Sequence, residues 1–157
     1  MRILEKLADF CASLAGVLLT LITLMTCFSL IGRNTVGVTL VGDFELTGIV
    51  AGAAISLFLP WCQLRRCNII VDFFTVKMSA SFNSKLDRLG ALLLCCVIGL
   101  LMWRVSIGGL NAYRSNSVTM LLNFPEWTVY AVMVPALGLT ATIAFVQAIF
   151  GFEEVSK

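Results

Sequence analysis

Three stretches of the chain are free of charge: 23 residues between Asp9 and Arg33, 19 between Glu45 and Arg65, and 26 between Glu126 and Glu153. A helix crossing a bilayer core needs about 20 apolar residues, so each stretch predicts a span. A fourth apolar region, between Arg88 and Arg104, has only 15 residues and is too short to cross unless the span takes in Arg104. The predicted spans are 10–31, 46–64, 86–113 and 127–150. The first is longer than a signal-peptide core of roughly 7–15 residues and is followed by no small-residue cleavage site, so it reads as an uncleaved helix.

Residues 68–88 follow another rhythm. Ile70, Phe74, Met78, Phe82 and Leu86 recur at every fourth position, while Asp72, Thr75, Ser79 and Asn83 occupy a second face. This pattern predicts an amphipathic helix over about 68–85, lying in the headgroup plane between spans two and three. A plain solvated connector is the alternative. The fold expected is thus all-α: an integral membrane protein with four transmembrane helices and one interfacial helix, in a single domain over residues 1–157.

Composition sharpens this. Hydrophobic residues make up 59% of the chain and charged residues 13%, about half the roughly 25% of soluble proteins. A net charge of +2 is too small to suggest nucleic acid. The distribution of charge carries more. With four spans both termini lie on one side, together with Arg2, Lys6, Arg65, Arg66, Lys77, Lys85, Arg88 and Lys157; the other side holds Arg33 and Arg114. Eight against two orients the termini toward the cytoplasm.

Little catalytic chemistry is available. The absence of histidine removes bis-histidine haem and imidazole bases. The six cysteines (Cys11, Cys27, Cys62, Cys67, Cys95 and Cys96) have no C-x-x-C spacing and none falls in the loops assigned to the outside. They read as small apolar fillers, which argues against a four-helix thiol oxidoreductase. A respiratory-complex anchor subunit lacks its haem ligands, and a small multidrug exporter lacks the embedded carboxylate in its first span. No catalytic, metal-binding or cofactor-binding residue is expected. Arg104 is the sole deep charge. It snorkels outward, holds a phospholipid headgroup, or pairs with an acid on a partner; these readings stay open. One arginine makes no route for a polar solute.

The spans do carry stripes of small residues: Gly48, Gly52 and Ser56 on span two, Ala136, Thr140 and Ala144 on span four, and Ala12, Gly16 and Thr20 on span one. Such stripes let helix backbones approach closely, within the chain or against a larger membrane partner.

The loops carry a further signal. Gly32-Arg33-Asn34 follows span one and Gly42-Asp43-Phe44-Glu45 opens span two. Arg65-Arg66-Cys67-Asn68-Ile69-Ile70-Val71-Asp72 comes next, then Tyr113-Arg114 and Asn123-Phe124-Pro125-Glu126-Trp127 before span four. In order and spacing the chain resembles the small membrane subunit of TRAP transporters (tripartite ATP-independent periplasmic transporters, the DctQ-like family). The resemblance implies a three-protein system. A periplasmic binding protein captures an organic anion, such as a sialic acid or C4-dicarboxylate. A large membrane subunit carries the substrate and sodium sites, and the small, non-catalytic subunit supports it. The resemblance maps the family's loop arginine and glutamate onto Arg33 and Glu45, its aspartate after span two onto Asp72, and its Pro-x-Trp onto Pro125 and Trp127. Arg33, Asn34, Asp43 and Glu45 would then sit at the periplasmic mouth. Where members often have Gly-His, this chain has Cys67-Asn68, so no protonation role is implied there.

Physical readings stand beside these. Arg33 and Glu45 flank one loop, where an ion pair would contribute about 0–1 kcal/mol. Asp72 suits the positive end of a helix dipole. Pro125 stops the loop and Trp127 has the place of an interfacial anchor.

Overall fold

In the computed structural model the described residues are 2–35, 37, 41–65 and 80–150. They form four helices: α1 (Arg2–Thr35), α2 (Asp43–Leu64), α3 (Ala80–Arg114) and α4 (Trp127–Phe150). All four are long and apolar enough to cross a membrane. The charge-free runs located the spans well, and the helices extend past them at several ends. Asp72 and the rest of 66–79 lie outside the described residues, and with them most of the expected interfacial helix. Residues 80–85, expected to end that helix, are the first turns of α3 instead. No proline or glycine stands between Ala80 and Leu89 to stop it, so the backbone ladder continues from polar sequence straight into the span.

The helices pack in the order α1, α2, α4, α3. α1 lies on α2, α2 on α4 and α4 on α3, with only a slight touch between α1 and α4. α3 meets neither α1 nor α2 among the described residues. The arrangement is a row rather than a closed bundle. α2 and α4 are interior and bury more of their surface; α1 and α3 are edges.

α1 grips α2 through Ala8, Ala15, Ile22 and Ser29, all buried and spaced by seven. A seven-residue interval keeps one seam facing its neighbour along a left-handed crossing. Ala15 joins Ala54, Leu57 and Ala136 in one core cluster, with Cys11 packed against it. Ala8, Leu64 and Ile143 form a second cluster. On the opposite face of α1, Phe10, Val17, Leu24 and Ile31 are exposed.

The α3–α4 contact depends on a glycine. A Cβ on Gly109 would stand 2.8 Å from the Cβ of Tyr130, a close approach that no other residue allows. Near the same level Tyr113 and Trp127 pack edge to face, with ring centroids 5.8 Å apart at 89°.

Candidate partner interface

At the end where α1 leads into α2, the sequence dictates a sharp reversal. Gly42 has φ +84° and is buried, and a Cβ there would approach the Cγ of Leu122 to 2.5 Å. Glycine meets both demands, the left-handed backbone and the missing side chain. Its carbonyl accepts the Leu46 N–H at 3.0 Å and starts the α2 ladder. Asp43 and Glu45 occupy the first turn, where the helix dipole favours carboxylates.

Each acid has a further task. Asp43 accepts the Ser29 hydroxyl at 2.6 Å, tying α2 to the end of α1. Glu45 reaches across to the α3–α4 loop and accepts the Leu121 N–H at 3.0 Å and the Leu122 N–H at 3.2 Å. The expected Arg33–Glu45 pair is therefore replaced by a carboxylate–backbone joint. Arg33 and Asn34 are exposed on the last turn of α1. A backbone amide pair presents two parallel donors to two carboxylate oxygens, which a single arginine must outcompete.

The loop that Glu45 holds is built from its own hydrogen bonds. Thr119 N–H donates to the Phe124 carbonyl at 3.0 Å, Phe124 N–H to the Thr119 hydroxyl at 3.0 Å, and Glu126 N–H to the Ser117 carbonyl at 3.1 Å. Val118 and Pro125 face each other as an antiparallel bridge. Asn116 and Asn123 take positive φ, which asparagine tolerates better than most residues. Pro125 ends this small hairpin, and its carbonyl accepts the Thr128 hydroxyl at 2.7 Å as α4 begins. Trp127 follows as the first residue of α4. The tip carries Met120, 94% exposed, and across the joint Phe44 is 86% exposed. The result is a fixed platform with apolar side chains standing out of it.

The packing stripes divide. Ala136, Thr140 and Ala144 are buried, and so is Ser56, so these serve the α2–α4 and neighbouring contacts. Gly48 and Gly52 have nothing within 4 Å of where a Cβ would stand, and neither does Gly16. Gly48 is exposed. The glycine half of the span-two stripe thus faces away from the other helices, and α1 uses its seven-residue seam in place of Ala12, Gly16 and Thr20. Arg104 is exposed on α3.

One buried polar contact has no counterpart in the sequence reading. Gln63 Nε2 donates to Gln147 Oε1 at 2.6 Å, and Gln147 Nε2 donates to the Gln63 main-chain carbonyl at 3.0 Å. Both side chains are buried. Close by, the Trp61 indole N–H donates to Asp9 at 3.1 Å. Two glutamines near the ends of spans two and four were the available signal, and only their facing one another gives it meaning. Between α3 and α4 an open apolar cleft of about 370 Å³ is lined by Gly109, Tyr113, Trp127, Tyr130 and Pro135.

Asp9, Ser29, Asp43, Glu45, Gln63 and Gln147 are thus tied to partners within the chain, while large apolar surfaces on α1, α3 and the platform face outward. That is the surface of a component. The model of the family described as tripartite ATP-independent periplasmic transporters, DctQ component, matches residues 22–153, most of the chain. Neither the curated proteins nor the solved structures give a match. With four membrane-length helices and this match over most of its length, the chain belongs to the DctQ family: it is a small, non-catalytic subunit of a TRAP transporter.

Proposed function

We propose that this subunit braces the large, sodium-coupled membrane subunit and helps seat the periplasmic binding protein during uptake of an organic anion, a carboxylate or sugar acid. The observation that carries this reading is the row of helices. Its two edges, α1 and α3, present long apolar faces, and its interior polar groups are bonded to one another. A row widens the hold of an assembly on the bilayer and offers a flat side to a larger body. The Glu45-held platform suits the seat: a loop fixed at both ends exposes Met120, beside Phe44 on α2, with little ordering left to lose on contact. The lysine and arginine bias supports a periplasmic platform and cytoplasmic termini.

Uptake into proteoliposomes tests the reading. The large subunit with its binding protein should transport only when this chain is present, and this chain alone should transport nothing. Accumulation of a carboxylate by this chain alone, or full uptake without it, would end the proposal. Cysteines introduced at Met120 and at Glu5 should react with impermeant maleimide from opposite sides of the membrane.

A further inference from the structure

Arg104 stands ten residues from Arg114 and sixteen from Arg88, or about 15 Å and 24 Å along α3 at 1.5 Å per residue. Tyr113 and Trp127, packed together at the loop end of the helix, have the character of side chains at the headgroup level. Arg104 is then deep within a hydrocarbon layer of about 30 Å. The nearer surface is the one toward Arg114. Side chains on a helix lean toward its N-terminus, so Arg104 leans away from that surface and toward the farther one. Snorkelling works against the backbone geometry in one direction and against distance in the other.

The face is also clear. Among the described residues α3 packs on α4 alone, through Ala91, Gly109 and Ala112. At 100° per residue Arg104 lies roughly opposite that contact, on one stripe with Leu93, Val97 and Leu100, all exposed. No carboxylate among the described residues pairs with it. A permanently charged guanidinium at this depth, ringed by apolar side chains, calls for an anion that the described residues do not supply.

We infer that the outer face of α3 is the docking surface for the large membrane subunit, and that Arg104 pairs there with an acidic side chain carried by one of its helices. The inference rests on the reading of this chain as the small subunit. Leucine and valine around the guanidinium exclude water and lipid headgroups from the pair, and charge complementarity sets the register of the two helices. Guanidinium and carboxylate meet through two parallel hydrogen bonds, which fixes orientation as well as depth.

The test uses the complex of both membrane subunits in nanodiscs containing anionic phospholipid. A benzoylphenylalanine replacing Leu100 should cross-link to the large subunit. Arg104→Leu should weaken assembly roughly 100-fold, because an unpaired buried carboxylate is left behind, and Arg104→Lys should weaken it much less. Neutralising one membrane-embedded acid of the large subunit should rescue Arg104→Leu, while the unfolding midpoint of the Arg104→Leu chain alone stays unchanged. If the complex assembles normally but Leu100 yields only lipid adducts and Arg104→Leu has no effect on assembly, a lipid phosphate or snorkelling holds the charge and the inference is overturned, with the small-subunit reading intact. If no complex forms with the unaltered chain, that reading itself fails and takes the inference with it.

Discussion

Replacing Gln147 with leucine removes a polar contact from the interior of the α2–α4 interface. Gln147 is 1% exposed and engages Gln63 twice, once at its side chain and once at its main-chain carbonyl. Interhelical hydrogen bonds in membranes contribute on average about 0.6 kcal/mol and up to about 1.7. Two of them, with a buried acceptor deprived of its donor, give an expected loss of about 1–3 kcal/mol for Gln147→Leu. Leucine has a similar volume, so the cavity contribution is small. Gln63→Leu breaks only the side-chain bond of the two and keeps the main-chain one. The side-chain pair is isolated by the double variant: its coupling energy should fall near 0.6–1.7 kcal/mol. Equilibrium unfolding in mixed micelles, followed by tryptophan emission, measures all three; Trp61, two residues from Gln63, reports locally. A coupling indistinguishable from zero would mean that the glutamines do not bond in the folded state, and the interpretation of this end of α2 and α4 would have to be abandoned.

Other substitutions probe the remaining joints. Gly42→Ala puts a Cβ into a left-handed turn against Leu122 and should destabilise the chain by about 1–3 kcal/mol in thermal unfolding; a neutral result would show that the turn relaxes. Gly109→Ala forces α3 away from Tyr130, at about 1–3 kcal/mol, and should alter Trp127 emission by disturbing its contact with Tyr113. Glu45→Gln should speed amide exchange at Leu121 and Leu122 and leave the helix interiors unchanged; exchange equal to that of the parent would dissolve the platform. Gly48→Ala meets open space and should leave the isolated chain as stable or up to about 1 kcal/mol more stable, whereas a loss would mean that this side of α2 is packed.

The spans were legible because an uncharged run of bilayer length has few other uses in a protein. Their pairing was not legible. Small residues at intervals of four appear on three spans, yet the structure uses Ala136, Thr140 and Ala144 and leaves Gly48 and Gly16 open. α1 instead uses Ala8, Ala15, Ile22 and Ser29. An interval of seven through mixed residue types is faint in an apolar helix, since lipid-facing and helix-facing positions are equally hydrophobic. For Glu45 the local reading was an ion pair with Arg33, whereas the structure bonds it to Leu121 and Leu122. Its partners are main-chain amides 76 and 77 residues away, and main-chain groups leave no mark in a sequence.

The order α1, α2, α4, α3 has a consequence for how such a subunit works. In a closed bundle each helix has two neighbours and the outer surface is shared evenly. In a row the edge helices have one main neighbour each, and the polar ties collect where they are most needed. Asp43–Ser29 and Asp9–Trp61 fasten α1 to α2 at its two ends, Gln63–Gln147 fastens α2 to α4, and Glu45 fastens the α3–α4 loop to α2. Each tie crosses between different elements, so the row resists shear while most of its outward surface stays apolar. The bracing role proposed above calls for that combination: stiffness from bonds inside the row's own plane, and grip from surfaces that a neighbouring subunit or lipid can cover without displacing water from polar groups.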